Sequence, residues 1–381
     1  MTYRFLRNGR PDDRAGLADP PHEGGESPSG LTPRAFHSRL PDYAATPLRR
    51  LPGLAVKLGV AEVLVKDESS RLGLPSYKIL GASWATYRAL ETLPDVQIGP
   101  WSNVEDLAAA LADVRPRRLV AATDGNHGRA VARMARLLGW PATILVPEGT
   151  ADARVKSIVS EGAAVTVVDG TYDEAVVVAA AQAGDDVLVI SDTAWPGYVD
   201  VPTWVIQGYS TIFAEVDEAL GADPPPTHVV IPIGVGALAA AAADHYGSIE
   251  GTTLLGVEPA DAACVLASVG AGRLVEVPGP HRSMMAGLNC GLPSPLAFAR
   301  LQRNYAGFVA VSDDWAADAV RLFAAEGLAV GESGAAPLAG LLALTAAAGD
   351  AAAAGLSERS QVLLIATEGV TDPANYARLV G

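Results

Sequence analysis

A single lysine, Lys78, stands where a broken segment containing Ser69, Ser70, Gly73 and Pro75 gives way to the apolar run Ile79-Leu80-Gly81-Ala82-Ser83-Trp84-Ala85. Burying an ammonium group is costly, so a lysine at the head of such a run needs a partner or a task. A desolvated lysine amine is a good nucleophile of the kind that forms Schiff bases with carbonyl compounds. In isolation, a stem snorkelling along an apolar helix explains the same placement. The other polar turns of the chain therefore decide what Lys78 is for.

Four such turns directly follow apolar, strand-like runs. After RLVAA comes Thr123-Asp124-Gly125-Asn126-His127-Gly128. Its glycines free the backbone, and the helix that follows offers unpaired N–H groups to a carboxylate. Asp124 and His127 add acid–base capacity, and Asn126 a neutral donor. After VVIPI comes Gly234-Val235-Gly236-Ala237, heading a helix made almost wholly of alanine. Backbone amides at such a turn cradle a phosphate. The absence of a Walker lysine and of the dinucleotide spacing favours a lone phosphate over a nucleotide. After VLVI, Asp192 projects a carboxylate at the ligand edge of the sheet, although an aspartate there is also an ordinary helix or turn cap. After VLLI, Thr367 offers a hydroxyl.

Each turn alone has a structural explanation. Together they supply one amine nucleophile, one phosphate cradle, one carboxylate-binding turn and one hydroxyl suited to a heteroaromatic nitrogen. That set suits pyridoxal 5′-phosphate acting on a small amino acid.

The elements that must position these groups alternate. Strands are expected at Val63–Val65, 118–122, 142–146, 164–168, 187–190, 228–233, 253–258 and 361–366. Helical spacing lies between them, with a long helical return before the last strand. Such alternation specifies an α/β protein with mostly parallel sheets flanked by helices. In open sheets of this kind, ligands bind beyond the carboxyl ends of the strands. The chain of 381 residues suits two domains. Residues 1–35 read as a loosely held arm, 36–82 with 204–381 as a large cofactor-binding domain, and 83–203 as a smaller one. Pro196, Gly197 and Pro202 mark a crossing between the two.

Composition narrows the partners. A net charge of −15 argues against nucleic acid and anionic membranes. No run approaches the ~18 apolar residues of a membrane span. The N-terminus lacks a signal-type apolar core, so a cytoplasmic location is expected. Cys264 and Cys290 make neither a disulfide framework nor a metal set.

The chain resembles fold-type II pyridoxal-phosphate enzymes, and within them it is most similar to the diaminopropionate ammonia-lyases. The strings that carry the resemblance include FHSRLPDYAATPL (36–48), KDESSRLGLPSYK (66–78), ATDGNHGRAVA (122–132), DTAWPGY (192–198), PIGVGALAA (232–240), MMAGLNCG (284–291) and TEGVTDP (367–373). They cover the chain from about residue 36 to its end. Asp124 is the discriminating residue, since dehydratases of serine and threonine usually carry serine there.

The resemblance implies that Lys78 holds the cofactor covalently and Asn126 its phenolic oxygen. Gly234, Val235, Gly236 and Ala237 would hold the phosphate, and Thr367 would face the pyridine nitrogen. It implies Lys78 and Asp124 as two bases on opposite faces of the ring, with Thr123, His127, Tyr172 and Asp192 around the substrate. Asp192 and Tyr172 would hold or protonate the departing amine. A homodimer is implied, and the two cysteines stand where the lyases also carry cysteines. GLPSY before Lys78, together with Ser70, departs from the larger and more aromatic residues of those enzymes. That departure leaves serine or threonine dehydration and β-replacement as alternatives on the same scaffold.

Overall fold

The computed structural model describes residues 1–9, 24–114, 117–123 and 125–381. Asp124 and residues 10–23 of the expected arm lie outside the described residues. The strands, in chain order, are β1 (Tyr3–Arg7), β2 (Leu48–Arg50), β3 (Glu62–Asp67), β4 (Arg118–Ala122), β5 (Ala142–Pro147), β6 (Ala164–Val168), β7 (Val187–Val189), β8 (His228–Pro232), β9 (Thr253–Pro259), β10 (Tyr305–Val311) and β11 (Gln361–Ala366). The chain divides into two compact units. One comprises Met1–Pro21, Ala45–Ser70 and Ile212–Gly381; the other comprises His22–Ala44 and Arg71–Thr211. The expected small domain, 83–203, falls inside the second unit, which also takes in Lys78.

The first unit is built on a seven-stranded sheet of order β1-β10-β9-β8-β11-β3-β2. Its five inner strands are parallel, and β1 and β2 pair antiparallel at the edges. Val230, Leu255, Val257, Val309 and Leu364 fill the core with Leu338, Leu341 and Leu344 of the helix Glu332–Thr345. The chain lays down β3, then β8, β9 and β10 outward, and returns to insert β11 between β8 and β3. The direction of strand addition thus reverses between β8 and β11. A crevice at such a switch point is where open α/β sheets take ligands.

Three strands differ from the sequence expectation. β1 lies in the presumed arm, yet its five residues pair with β10 from Tyr3↔Val311 to Arg7↔Gly307. β2 is a short three-residue edge. β10 falls within the presumed helical return. Its run YAGFVAV is almost wholly buried, and short apolar runs buried on both faces carry no period that separates strand from helix.

The second unit holds a four-stranded, wholly parallel sheet of order β6-β5-β4-β7. Here the reversal falls between β4 and β7, because β5 and β6 extend one side before β7 returns to the other. Pro202, expected to break the pattern, lies in the first turn of the helix Asp200–Gly208. A proline there forfeits no intrahelical hydrogen bond. This helix crosses Lys78–Glu91 so closely that a Cβ on Gly208 would stand 2.5 Å from the Leu80 carbonyl oxygen. Glycine is thus required by the backbone approach, and the contact seats the start of the helix that carries Lys78.

Candidate active site

In the second unit, Lys78 opens a helix whose next twelve residues, Ile79 to Leu90, are all buried. Its Nζ donates to Asp192 Oδ2 at 2.6 Å. Asp192 sits just past β7, and its Oδ1 accepts from the Tyr172 hydroxyl at 2.9 Å. Tyr172 is set by the capping box of its helix, in which Thr171 and Glu174 satisfy each other's backbone N–H groups. The turn bearing Asp192 is locked in its own way. The Tyr198 hydroxyl donates to the Val189 carbonyl at 2.6 Å and accepts from the Ser191 N–H at 3.0 Å. The Tyr198 ring stacks on Trp195 at 4.0 Å.

The electrostatics follow from this pairing. Burial works to lower the Lys78 pKa, but the Asp192 carboxylate, aided by Tyr77 and Tyr209, outweighs it and holds the amine well above the ordinary lysine value. Burial would raise the Asp192 carboxyl, but the charge of Lys78 and the hydrogen bonds from Lys78 and Tyr172 bring it well below the ordinary aspartate range. A tyrosine pair missed in the sequence completes the wall. Lys78 Nζ lies 5.6 Å from the centre of the Tyr77 ring, which packs on Tyr209 at 4.7 Å. Single aromatic residues 132 positions apart carry no sequence signal of such a contact.

The turn after β4 lies at the same reversal of strand order. Thr123 Oγ1 accepts from the N–H groups of Gly125 at 2.8 Å and Gly128 at 3.0 Å, bracing the turn from inside. Asn126 is the first residue of the helix Asn126–Leu138. His127 is buried, and its Nε2–H donates to the Ile190 carbonyl at 2.7 Å, tying the β4 turn to the end of β7. Burial lowers the His127 pKa, with Asp192 opposing and Lys78 adding to the effect. Lys78, Asp192, Tyr172 and His127, read separately from the sequence, thus belong to one cluster.

The remaining predicted residues lie in the first unit, at the ends of β8 and β11 and therefore at its own switch point. Gly236 has φ +99°, and a Cβ there would stand 2.8 Å from Ala297 Cβ, so only glycine is accommodated. The helix Ala237–Tyr246 begins directly after it with no side-chain cap, leaving its first N–H groups to an anion. Buried cysteines flank the cradle: Cys264 Sγ lies 4.0 Å from the Gly234 carbonyl oxygen, and a Cβ on Gly234 would meet Cys290 Sγ at 3.2 Å. Thr367 is buried at the end of β11, and the next residue, Glu368, accepts from the Ser333 N–H at 3.2 Å.

An uncapped, glycine-lined helix start suits a phosphate, and Lys78, held as an ammonium beside Asp192, becomes a nucleophile for an aldehyde once it gives up a proton. Residues 40–368 match the profile of the pyridoxal-phosphate dependent enzymes. The chain belongs to that family. Its cofactor is pyridoxal 5′-phosphate. The chain is 36% identical over 365 residues to the diaminopropionate ammonia-lyase of Escherichia coli (strain K12), covering 91% of this chain and 90% of that one. The crystal structure of the Escherichia coli diaminopropionate ammonia-lyase in complex with an aminoacrylate-PLP azomethine reaction intermediate matches with TM-score 0.84 and 32% identity, covering 100% of this chain and 97% of that one. A biosynthetic L-threonine dehydratase of Mycobacterium leprae is 33% identical over 239 residues, covering 62% of this chain and 49% of that protein. Among the described residues no helix is long and apolar enough to cross a membrane.

Proposed function

We propose that this protein is an ammonia-lyase that converts 2,3-diaminopropionate to pyruvate and two molecules of ammonia. The observation that carries the reading is the Lys78–Asp192 pair, backed by Tyr172, in a chain similar to diaminopropionate ammonia-lyases over nine-tenths of its length. Lys78 is proposed to bind the cofactor aldehyde, Gly234 to Ala237 its phosphate, Asn126 its phenolic oxygen and Thr367 its ring nitrogen. The bound cofactor supplies the electron sink that makes the substrate's α-proton removable.

The residues of the chain then divide the work. Nζ of Lys78 takes the α-proton from one enantiomer, and the Asp124 carboxylate is the proposed base for the other. Asp192 holds the β-ammonium group, with Tyr172 fixing the orientation of the carboxylate. Thr123 shapes the turn that receives the substrate carboxylate, and His127 joins that turn to the end of β7. Ammonia leaves with the electron pair of the Cβ–N bond. The released aminoacrylate takes up water to give pyruvate and the second ammonia. A homodimer and a cytoplasmic location are part of the same proposal, and sedimentation of the purified holoenzyme tests the first.

Pyruvate release from a panel of β-substituted amino acids tests the substrate. Diaminopropionate should be turned over faster than serine or threonine, and the reverse order overturns the reading. Lys78→Ala should lose the absorbance band of the lysine-bound cofactor and at least roughly 10²–10⁴-fold in rate.

A further inference from the structure

In the first unit, β8 and β11 pair only from Val362↔His228 to Leu364↔Val230. Beyond that level each strand pairs outward, β11 with β3 as far as Ala366↔Asp67 and β8 with β9 as far as Pro232↔Val257. Among the described residues, no ladder bond therefore spans the opening between Thr367 and Gly234. Ser333, the second residue of the helix Glu332–Thr345, is buried and bonds to both sides of that opening. Its N–H donates to Glu368 Oε1 at 3.2 Å, and its Oγ accepts from the Gly287 N–H at 3.0 Å. On the first side the helix start is seated on the turn after Thr367. The Gly331 N–H donates to the Glu368 carbonyl at 3.0 Å, and a Cβ on Gly334 would stand 2.9 Å from the Glu368 nitrogen. On the second side Gly287 backs the phosphate cradle, its carbonyl oxygen lying 3.2 Å from where a Cβ on Gly234 would stand.

We infer that Ser333 is a positioning residue that fixes the spacing between Thr367 and the cradle at Gly234 to Ala237. It thereby sets the distance between the ring-nitrogen contact and the phosphate contact of the cofactor. The inference rests on the roles proposed above for Thr367 and the cradle, and deepens them. A ligand gripped at two points gains fully from the second grip only when both already stand at the ligand's own spacing. Where the sheet has opened, its ladder does not hold that spacing. The Ser333 hydroxyl does, because Gly287 hangs on Oγ while the Ser333 backbone is held by the turn after Thr367. Without Oγ, a buried Gly287 N–H loses its acceptor, and the segment behind Gly234 is free to shift. Each grip then survives separately, but the two no longer fit one molecule.

The test is equilibrium dialysis of the full chain, freed of cofactor, against pyridoxal 5′-phosphate and against pyridoxal. Both aldehydes offer the same ring and the same bond to Lys78, so the ratio of their Kd values reports the phosphate contact. In Ser333→Ala the Kd for pyridoxal should stay within about threefold of wild type, while that for pyridoxal 5′-phosphate rises about tenfold or more. Ser333→Cys, close in size but with a sulfur that accepts weakly, should show the same selective loss. It carries the test if the alanine variant does not fold. A ratio of the two Kd values within about threefold of wild type in the folded variant overturns the inference, whether both affinities fall together or neither falls. A general loosening of the fold gives that parallel loss. Wild-type protein that binds pyridoxal as tightly as pyridoxal 5′-phosphate overturns the cradle assignment instead, a failure distinct from that of Ser333.

Discussion

Lys78 and Asp192, 114 residues apart in the chain, meet at 2.6 Å. The pair joins the start of a helix to the end of β7, and each partner alters the other's ionisation in the direction that keeps both charged. Removing one partner of a fully buried ion pair costs about 3–5 kcal/mol. Asp192→Asn should cost the cofactor-free protein less than that, because the Lys78 side chain retains 16% exposure. The pH dependence has a definite sign. Asp192 titrates lower in the folded state than its ordinary 3.8, so its stabilisation is fully present above that value and is lost as pH falls below it. Acid titration between about pH 4 and 2 should therefore destabilise wild type more steeply than Asp192→Asn. Parallel slopes in chemical denaturation would refute the coupling.

The phosphate cradle makes a separate demand. Gly236→Ala places a side chain at φ +99° and 2.8 Å from Ala297 Cβ. The backbone strain alone is worth about 1–3 kcal/mol. Because the strain falls on the first N–H groups of the Ala237–Tyr246 helix, cofactor affinity should drop about tenfold or more. Equilibrium dialysis against pyridoxal phosphate measures this, and unchanged affinity would remove Gly236 from the cradle.

The two-base proposal is tested by stereochemistry. Asp124→Asn should abolish turnover of D-2,3-diaminopropionate while much of the L-activity survives on Lys78. Coupled pyruvate assays on the separate enantiomers read this directly, and equal loss of both would contradict the assignment.

Glu258 gives a pH signature at the other end of the scale. Its oxygens accept from the Val265 and Leu266 N–H groups at 2.8 Å each, yet burial outweighs these bonds and pushes the carboxyl up to about 8. The folded state therefore holds this proton more tightly than the unfolded chain, and stability falls as pH rises from about 4.5 toward 8. At about 1.4 kcal/mol per unit, the effect amounts to a few kcal/mol. Thermal melts from pH 5 to 8 should show this decline in wild type and a flatter profile in Glu258→Gln.

The sequence by itself was enough to point to the family and its cofactor, and it marked the local patterns from which the site is proposed. A lysine heading an apolar run, glycine-rich turns after apolar strands and an aspartate past VLVI are local patterns. Backbone freedom, helix starts and strand ends are written in adjacent residues. The parallel α/β class was legible for the same reason, since alternation of periods is local. Tertiary structure decided what locality does not encode. β1 and β10 were missed because an edge strand and a doubly buried strand are defined by their neighbours rather than by their own period. The His127–Ile190 bond and the Tyr77–Tyr209 wall have no signal in the sequence. The first follows from the reversal of strand order between β4 and β7, which brings the turn at Thr123 beside the end of β7, and the second from the close crossing of the helices Lys78–Glu91 and Asp200–Gly208. A side chain's partner, and hence its charge and tautomer, is fixed by where the sheet returns on itself.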